Sequence, residues 1–186
     1  MPAREEVLSA LYGAYRLAWF DASGMTYFNL TVEGFWRSFF AAVLVAPAYA
    51  ILVGLQWSAE AEEPSVALLF LTESIGYVLA WCAFPIVALV LTRLLGLDRN
   101  YVALIVAHNW SAVLQTAAFV VVVLLGVVLP EALGTLVVTL TTGAILVYQW
   151  FVIRTALQTS GGIALMLLLV DLVVTSMISA GADRLL

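Results

Sequence analysis

The sequence predicts an all-α integral membrane protein, with about five transmembrane helices behind an N-terminal amphipathic interfacial helix. Three observations carry this expectation. Of 186 residues, 65% are hydrophobic and 10% charged. Soluble domains run nearer about 45–50% and about 25%, so no water-soluble fold could hide this apolar surface. Five apolar runs approach or exceed the roughly 20 residues that a helix needs to cross a bilayer, and the chain's mean hydropathy is +1.10. Residues 1–30 read as a cytoplasmic amphipathic segment and 31–186 as a five-helix transmembrane domain.

Ala3 to Phe20 read as an amphipathic helix. Val7, Leu8, Leu11, Tyr12, Tyr15, Ala18 and Trp19 recur at helical spacing, and Arg4, Glu5, Glu6, Ser9 and Arg16 take the other face. The segment is too short and too charged to span. It suits either the headgroup plane or a berth under the bundle. It is not a cleavable signal peptide, because Glu5 and Glu6 follow Arg4 at once and Arg16 breaks the next stretch.

Asp21 to Gly24 is a turn signal, and Asn29 and Thr31 are candidate caps, with Glu33 in the first turn that follows. The first span enters near Trp36-Arg37 and runs to about Trp57, with aromatic and arginine anchors at its ends. Ala42, Ala46, Ala50 and Gly54 form a ridge of small residues that lets another helix approach, within the chain or between copies. Pro47 is expected to bend the span. Ser58 to Glu63 form an acidic loop, and Pro64 suits a first helical position. The second run, Ser65 to about Leu95, carries Glu73, with Gly76, Tyr77, Ala80 and Phe84 on the same side, and Pro85 beyond. The third, Tyr101 to Leu129, carries His108, Asn109, Trp110, Ser111 and Gln115. After Pro130-Glu131, the fourth runs from about Ala132 to Ile153 with Thr135, Thr139, Thr142 and Gln149, closed by Arg154. Gln158 to Gly162 is a turn, and the fifth run, Ile163 to about Ala180, has Asp171 near its middle.

There is no Lys, and an Arg-only, Ala- and Val-rich chain points to a high-GC bacterial genome and hence to a bacterial inner membrane. On alternating sides, Arg4, Arg16, Arg37, Arg93, Arg99 and Arg154 share one face of the membrane, while Glu60, Glu62, Glu63, Glu131 and Arg184 take the other. The positive-inside rule then puts the N-terminus in the cytoplasm and the C-terminus in the periplasm. No basic stripe offers a nucleic-acid interface. The single Cys82 excludes an internal disulfide and reads as a small hydrophobe.

Ionisable groups inside hydrocarbon are functional candidates. At about 1.5 Å of rise per residue, Glu73 lies roughly 12 Å in from the outer side, His108 roughly 11 Å in from the cytoplasmic side, and Asp171 near the midplane. His108, Ser111 and Gln115 share one helix face, flanked by Asn109. Asp171, Thr175 and Ser179 share another. These groups either pass protons along a stepped path or act as polar glue that locks the bundle, at about 0.6 kcal/mol per contact. One His without a second ligand at helical spacing is no metal site. Ser111 lacks elbow glycines, and Gly161-Gly162 lacks the rest of a phosphate loop. No enzyme chemistry and no cofactor is expected.

A Glu-Gly-Phe-Trp-Arg run at Glu33 to Arg37 and the Asn109-Trp110 pair look like those of small bacterial inner-membrane proteins. From Trp36 onward, the cytoplasmic start and five closely connected spans resemble the Yip1-type membrane proteins, with Gly76-Tyr77 as the nearest match to a Gly-Tyr signature. The resemblance implies a non-enzymatic protein that binds other membrane proteins. The expected function is therefore a scaffold, accessory subunit or partner-binding protein, with the bilayer and other membrane proteins or copies of itself as partners. The alternative is a small proton-coupled transporter or channel subunit using Glu73, His108 and Asp171.

Overall fold

The computed structural model describes residues 1–57 and 65–183. Among these residues there is no strand. The helices are α1 (Arg4–Ala18), α2 (Val32–Ser38), α3 (Phe40–Trp57), α4 (Val66–Leu94), α5 (Tyr101–Val128), α6 (Glu131–Leu157) and α7 (Gly161–Asp183), with short 3-10 turns at Ala22–Tyr27 and Asp98–Asn100. Five stretches are long and apolar enough to cross a membrane: Val32–Trp57, Val66–Leu94, Asp98–Val128, Glu131–Leu157 and Gly161–Ala182. At most 22% of any apolar window is buried against protein. Leu124, Leu125, Val127 and Val128 instead face outward. Exposed apolar surface on this scale marks a membrane or a protein interface.

Local chemistry sets the helix ends. Thr31 caps α2 by accepting the Gly34 N–H at 3.1 Å. Asn29, the other expected cap, accepts instead from the Thr31 N–H and hydroxyl at 3.3 and 2.7 Å. Ser65 caps α4 through the Leu68 N–H at 3.2 Å. The acidic loop Ser58 to Glu63 and the expected helix start at Pro64 lie outside the described residues. Pro47 and Pro85 stay within continuous helix. Helix α6 runs past Ile153 to Leu157, and Gln158 ends it in the left-handed region at φ 51°. The Asn100 amide then donates to the Leu157 carbonyl at 2.9 Å, satisfying one of the free groups of that terminus.

Helices α5 and α6 form the central hairpin. Helix α3 lies along α5, and α7 lies between α4 and α6. Leu104, Ile105, Val106, Val152, Ile153 and Leu157 are fully buried at one end of this core. Helix α1 covers that end with a face that the sequence pattern selected only in part. It buries Ala10, Gly13, Ala14 and Leu17, and Val7 and Leu11 of the expected stripe pack beside them. Leu8, Tyr12, Tyr15 and Trp19, assigned above to the apolar stripe, stay exposed. The reason is closeness. Small residues let α1 lie flat against the turn that follows it, which large aromatics would prevent. A Cβ on Gly13 would meet the Gly24 carbonyl at 2.7 Å, and one on Gly24 would meet the Gly13 carbonyl at 2.5 Å.

The Ala42, Ala46, Ala50 and Gly54 ridge runs along α3. Helix α3 presses Ala41 and Val45, on the neighbouring face, into the core. The ridge residues Ala46, Ala50 and Gly54 line an open groove between α3 and α4 of about 530 Å³. Among the described residues, a Cβ on Gly54 would meet nothing within 4 Å.

Polar contacts hold the N-terminal segment down. Arg37 binds Glu6 at 2.7 Å and Glu33 at 2.5 Å, and the Asn29 amide donates to Glu6 at 2.9 Å. Arg16 pairs with Asp21 and donates to Ser23 at 2.9 Å. Burial pushes the Glu6 carboxyl up, but the hydrogen bonds from Asn29 and Arg37 outweigh it and hold the group below its ordinary value. Hydrogen bonds from Ser23 and Arg16 do the same for Asp21.

Two outcomes follow for the N-terminal segment. Gly24→Val is expected to cost about 1–3 kcal/mol through overpacking and to open the Ala22–Tyr27 turn to proteolysis, read against the parent chain in the same detergent. The depressed carboxyls stabilise docking fully above the ordinary carboxylate range and lose that contribution as pH falls through their lowered values. Protection of the turn should therefore hold at neutral pH and fall away below about pH 4. Protection unchanged down to pH 2 would remove the electrostatic clamp.

Candidate functional site: a buried polar seam and a polar cavity

A side-chain polar group in an apolar interior needs a partner. The polar face of α5 finds most of its partners on α6. Gln115 Nε2 donates to Gln149 Oε1 at 2.7 Å, and Gln149 Nε2 meets His108 Nδ1 at 2.6 Å. Because the Gln149 oxygen already accepts, its amide nitrogen donates to Nδ1. The ring proton then belongs on Nε2. The His108 ring stacks on Phe84 of α4, with centroids 4.3 Å apart and planes at 22°. Asp171 on α7 acts on this ring electrostatically.

One turn along, the Tyr148 hydroxyl donates to the Ala14 carbonyl at 2.8 Å and can accept from the Ser111 hydroxyl at 2.9 Å, so it sits between them. Asn109, on the other flank of α5, donates to Ser38 Oγ at 2.9 Å, and Ser38 in turn donates to the Phe35 carbonyl at 2.7 Å. That chain fixes the break between α2 and α3. Asn109, Ser111, Gln149 and Ser38 are all buried.

Glu73 lies in a second location. It accepts from the Tyr49 hydroxyl at 2.6 Å. Beside the pair, Tyr77 donates to the Ala42 carbonyl at 2.6 Å, and the Tyr49 and Tyr77 ring centroids are 4.8 Å apart. These groups wall a cavity of about 310 Å³ between α3, α4, α5 and α7, with Gln56, Phe119, Thr175 and Ser179 in its lining. Asp171 sits one turn of α7 before Thr175, toward His108.

The structure therefore brings His108, Gln115, Gln149 and Asp171 into one neighbourhood, and Glu73 and Thr175 into another. Asn109 and Ser111 serve packing between elements. The threonines of α6 turn inward on their own helix: Thr139 and Thr142 donate to carbonyls four residues back, at 2.8 and 2.9 Å. Sequence reasoning missed Ser38, Tyr49 and Tyr148. A tyrosine in the middle of an apolar run carries a hydroxyl that must find an acceptor, and that signal was present for both tyrosines. Among the described residues, no group of three metal-ligating side chains converges. No protein-family model, curated protein or solved structure matches this chain.

Gln149 occupies the middle of its hydrogen-bond chain and Gln115 one end. Gln149→Leu strands two partners and is expected to cost about 1–2 kcal/mol. Gln115→Leu strands one and should cost nearer about 0.6 kcal/mol. Thermal unfolding in one detergent compares them, and equal shifts would show that the chain does not act as a unit.

Proposed function

We propose that this is a multi-pass protein of a bacterial inner membrane, with its N-terminus cytoplasmic, its C-terminus periplasmic and α1 in the interface, and that it works as a small proton-coupled transporter or channel subunit. One observation carries the reading: a cavity with Glu73, Gln56, Thr175 and Ser179 in its lining, which lies about a turn of α7 away from Asp171. An ionisable group placed in an apolar bundle is a functional-site candidate by default. Glu73, His108 and Asp171 are three such groups. The orientation draws support from the end that α1 covers, where Arg93 and Arg154 fall in the last turns of their helices. The exposed Leu8, Tyr12, Tyr15 and Trp19 suit headgroup depth.

The scaffold or partner-binding role, which the Yip1-type resemblance implies, keeps one observation of its own. Ala46, Ala50 and Gly54 of the small-residue ridge line a groove that no helix among the described residues fills. A partner helix could seat there, as small residues permit.

Reconstituted vesicles separate the two. With an imposed pH gradient, proton or solute flux through the parent chain is expected to fall about tenfold or more with Glu73→Gln and with Asp171→Asn. Flux equal to that of the parent in both variants would defeat the pathway and leave the partner-binding role.

A further inference from the structure

The cavity and the groove are not separate. The groove between α3 and α4 and the cavity behind it share Tyr49, Val53, Glu73 and Tyr77 in their linings. On the outer side lie Ala46, Ala50, Gly54 and Phe70, with Ser74 as a polar neighbour. On the inner side Gln56, Thr175 and Ser179 stand among apolar residues such as Leu52, Phe119 and Ile178. The Tyr49–Glu73 hydrogen bond stands at the junction. We propose that the two hollows form a single site for a cationic amphiphile, with an ammonium head beside Glu73 and a single alkyl chain along the α3 ridge.

Charge selects the head. Among the described residues, Glu73 is the sole carboxylate of either lining, and neither lining contains Arg or His. An anionic or phosphate-bearing head would find no cation among them, whereas an ammonium finds a carboxylate and two tyrosine rings. Aromatic faces favour quaternary ammonium groups in particular. Size selects a small head, because about 310 Å³ lies at the low end of the about 300–1,000 Å³ of ligand pockets. The groove selects the tail. It is open along its side, and an added Cβ at Gly54 meets nothing within 4 Å among the described residues. A helix of a second copy would fill the groove and leave the Glu73 side unused, so the head and tail requirements together favour the amphiphile.

The inference deepens the pathway reading, and rests on it, by naming the solute. Binding is measured without flux. The full chain in lipid nanodiscs is titrated calorimetrically with dodecyltrimethylammonium, tetramethylammonium and neutral dodecyl maltoside, with empty nanodiscs subtracted. Dodecyltrimethylammonium is expected to bind tightest, and Glu73→Gln to weaken both ammonium probes by about tenfold or more. Ala50→Phe and, independently, Gly54→Leu should weaken the tailed probe by about tenfold while leaving tetramethylammonium within about twofold.

Equal affinity for dodecyl maltoside, or indifference to Glu73→Gln, would overturn the proposal. So would groove variants that change only the oligomeric state, which would assign the groove to a second copy. Ammonium binding without proton flux in vesicles keeps the site and removes the transport reading. Flux without binding does the reverse.

Discussion

Gln149 is the residue on which the bundle turns. Its amide oxygen serves Gln115 and its amide nitrogen serves His108, so a single side chain satisfies both ends of a polar face on the neighbouring helix. In the apolar interior between the helices such groups have no water to fall back on. Register between α5 and α6 is then set in part by where polar atoms can meet. The hairpin in turn positions α3, α7 and the N-terminal segment, because each packs against one of its two helices.

The remaining helices are held less evenly. Helix α3 docks on α5, and α4 docks on α7. Between α3 and α4 the described contacts are reaches by long side chains: Tyr49 to Glu73 and Tyr77 to the Ala42 carbonyl. Two hydroxyls spanning a gap leave space on either side of themselves. That is why the same few residues border a polar hollow within the bundle and an apolar one at its edge. A closely packed ridge would have erased both.

Much of this arrangement was legible in the sequence. Five apolar runs gave five membrane-length helical stretches, and Thr31, Arg154 and the turn at Gln158 fell where capping and dipole rules place them. His108, Gln115 and Gln149 were recognisable because polar residues among valines and leucines stand out. What the sequence hid was partnership. Nothing in helical spacing says that Ser111 meets Tyr148 or that Asn109 meets Ser38, 71 residues away. The buried face of α1 was hidden for a different reason. Hydrophobicity favours Tyr12, Tyr15 and Trp19, yet the face that docks is the one whose Ala10, Gly13 and Ala14 let backbones come close. The ridge of α3 is the opposite case: small residues permit approach without compelling it.

The Tyr148 hydroxyl joins the α5–α6 seam to the Ala14 carbonyl, 134 positions earlier in the chain. During synthesis, α1 leaves the ribosome well before α6 and cannot find this acceptor's mate until 134 further residues have been made. At about 5–20 residues per second, that wait lasts about 7 to 27 seconds. Through that interval α1 must be kept somewhere other than its final seat. It waits with Leu8, Tyr12, Tyr15 and Trp19 as an uncovered apolar row, and the strap that ties the start of the fold to the central hairpin is fastened late.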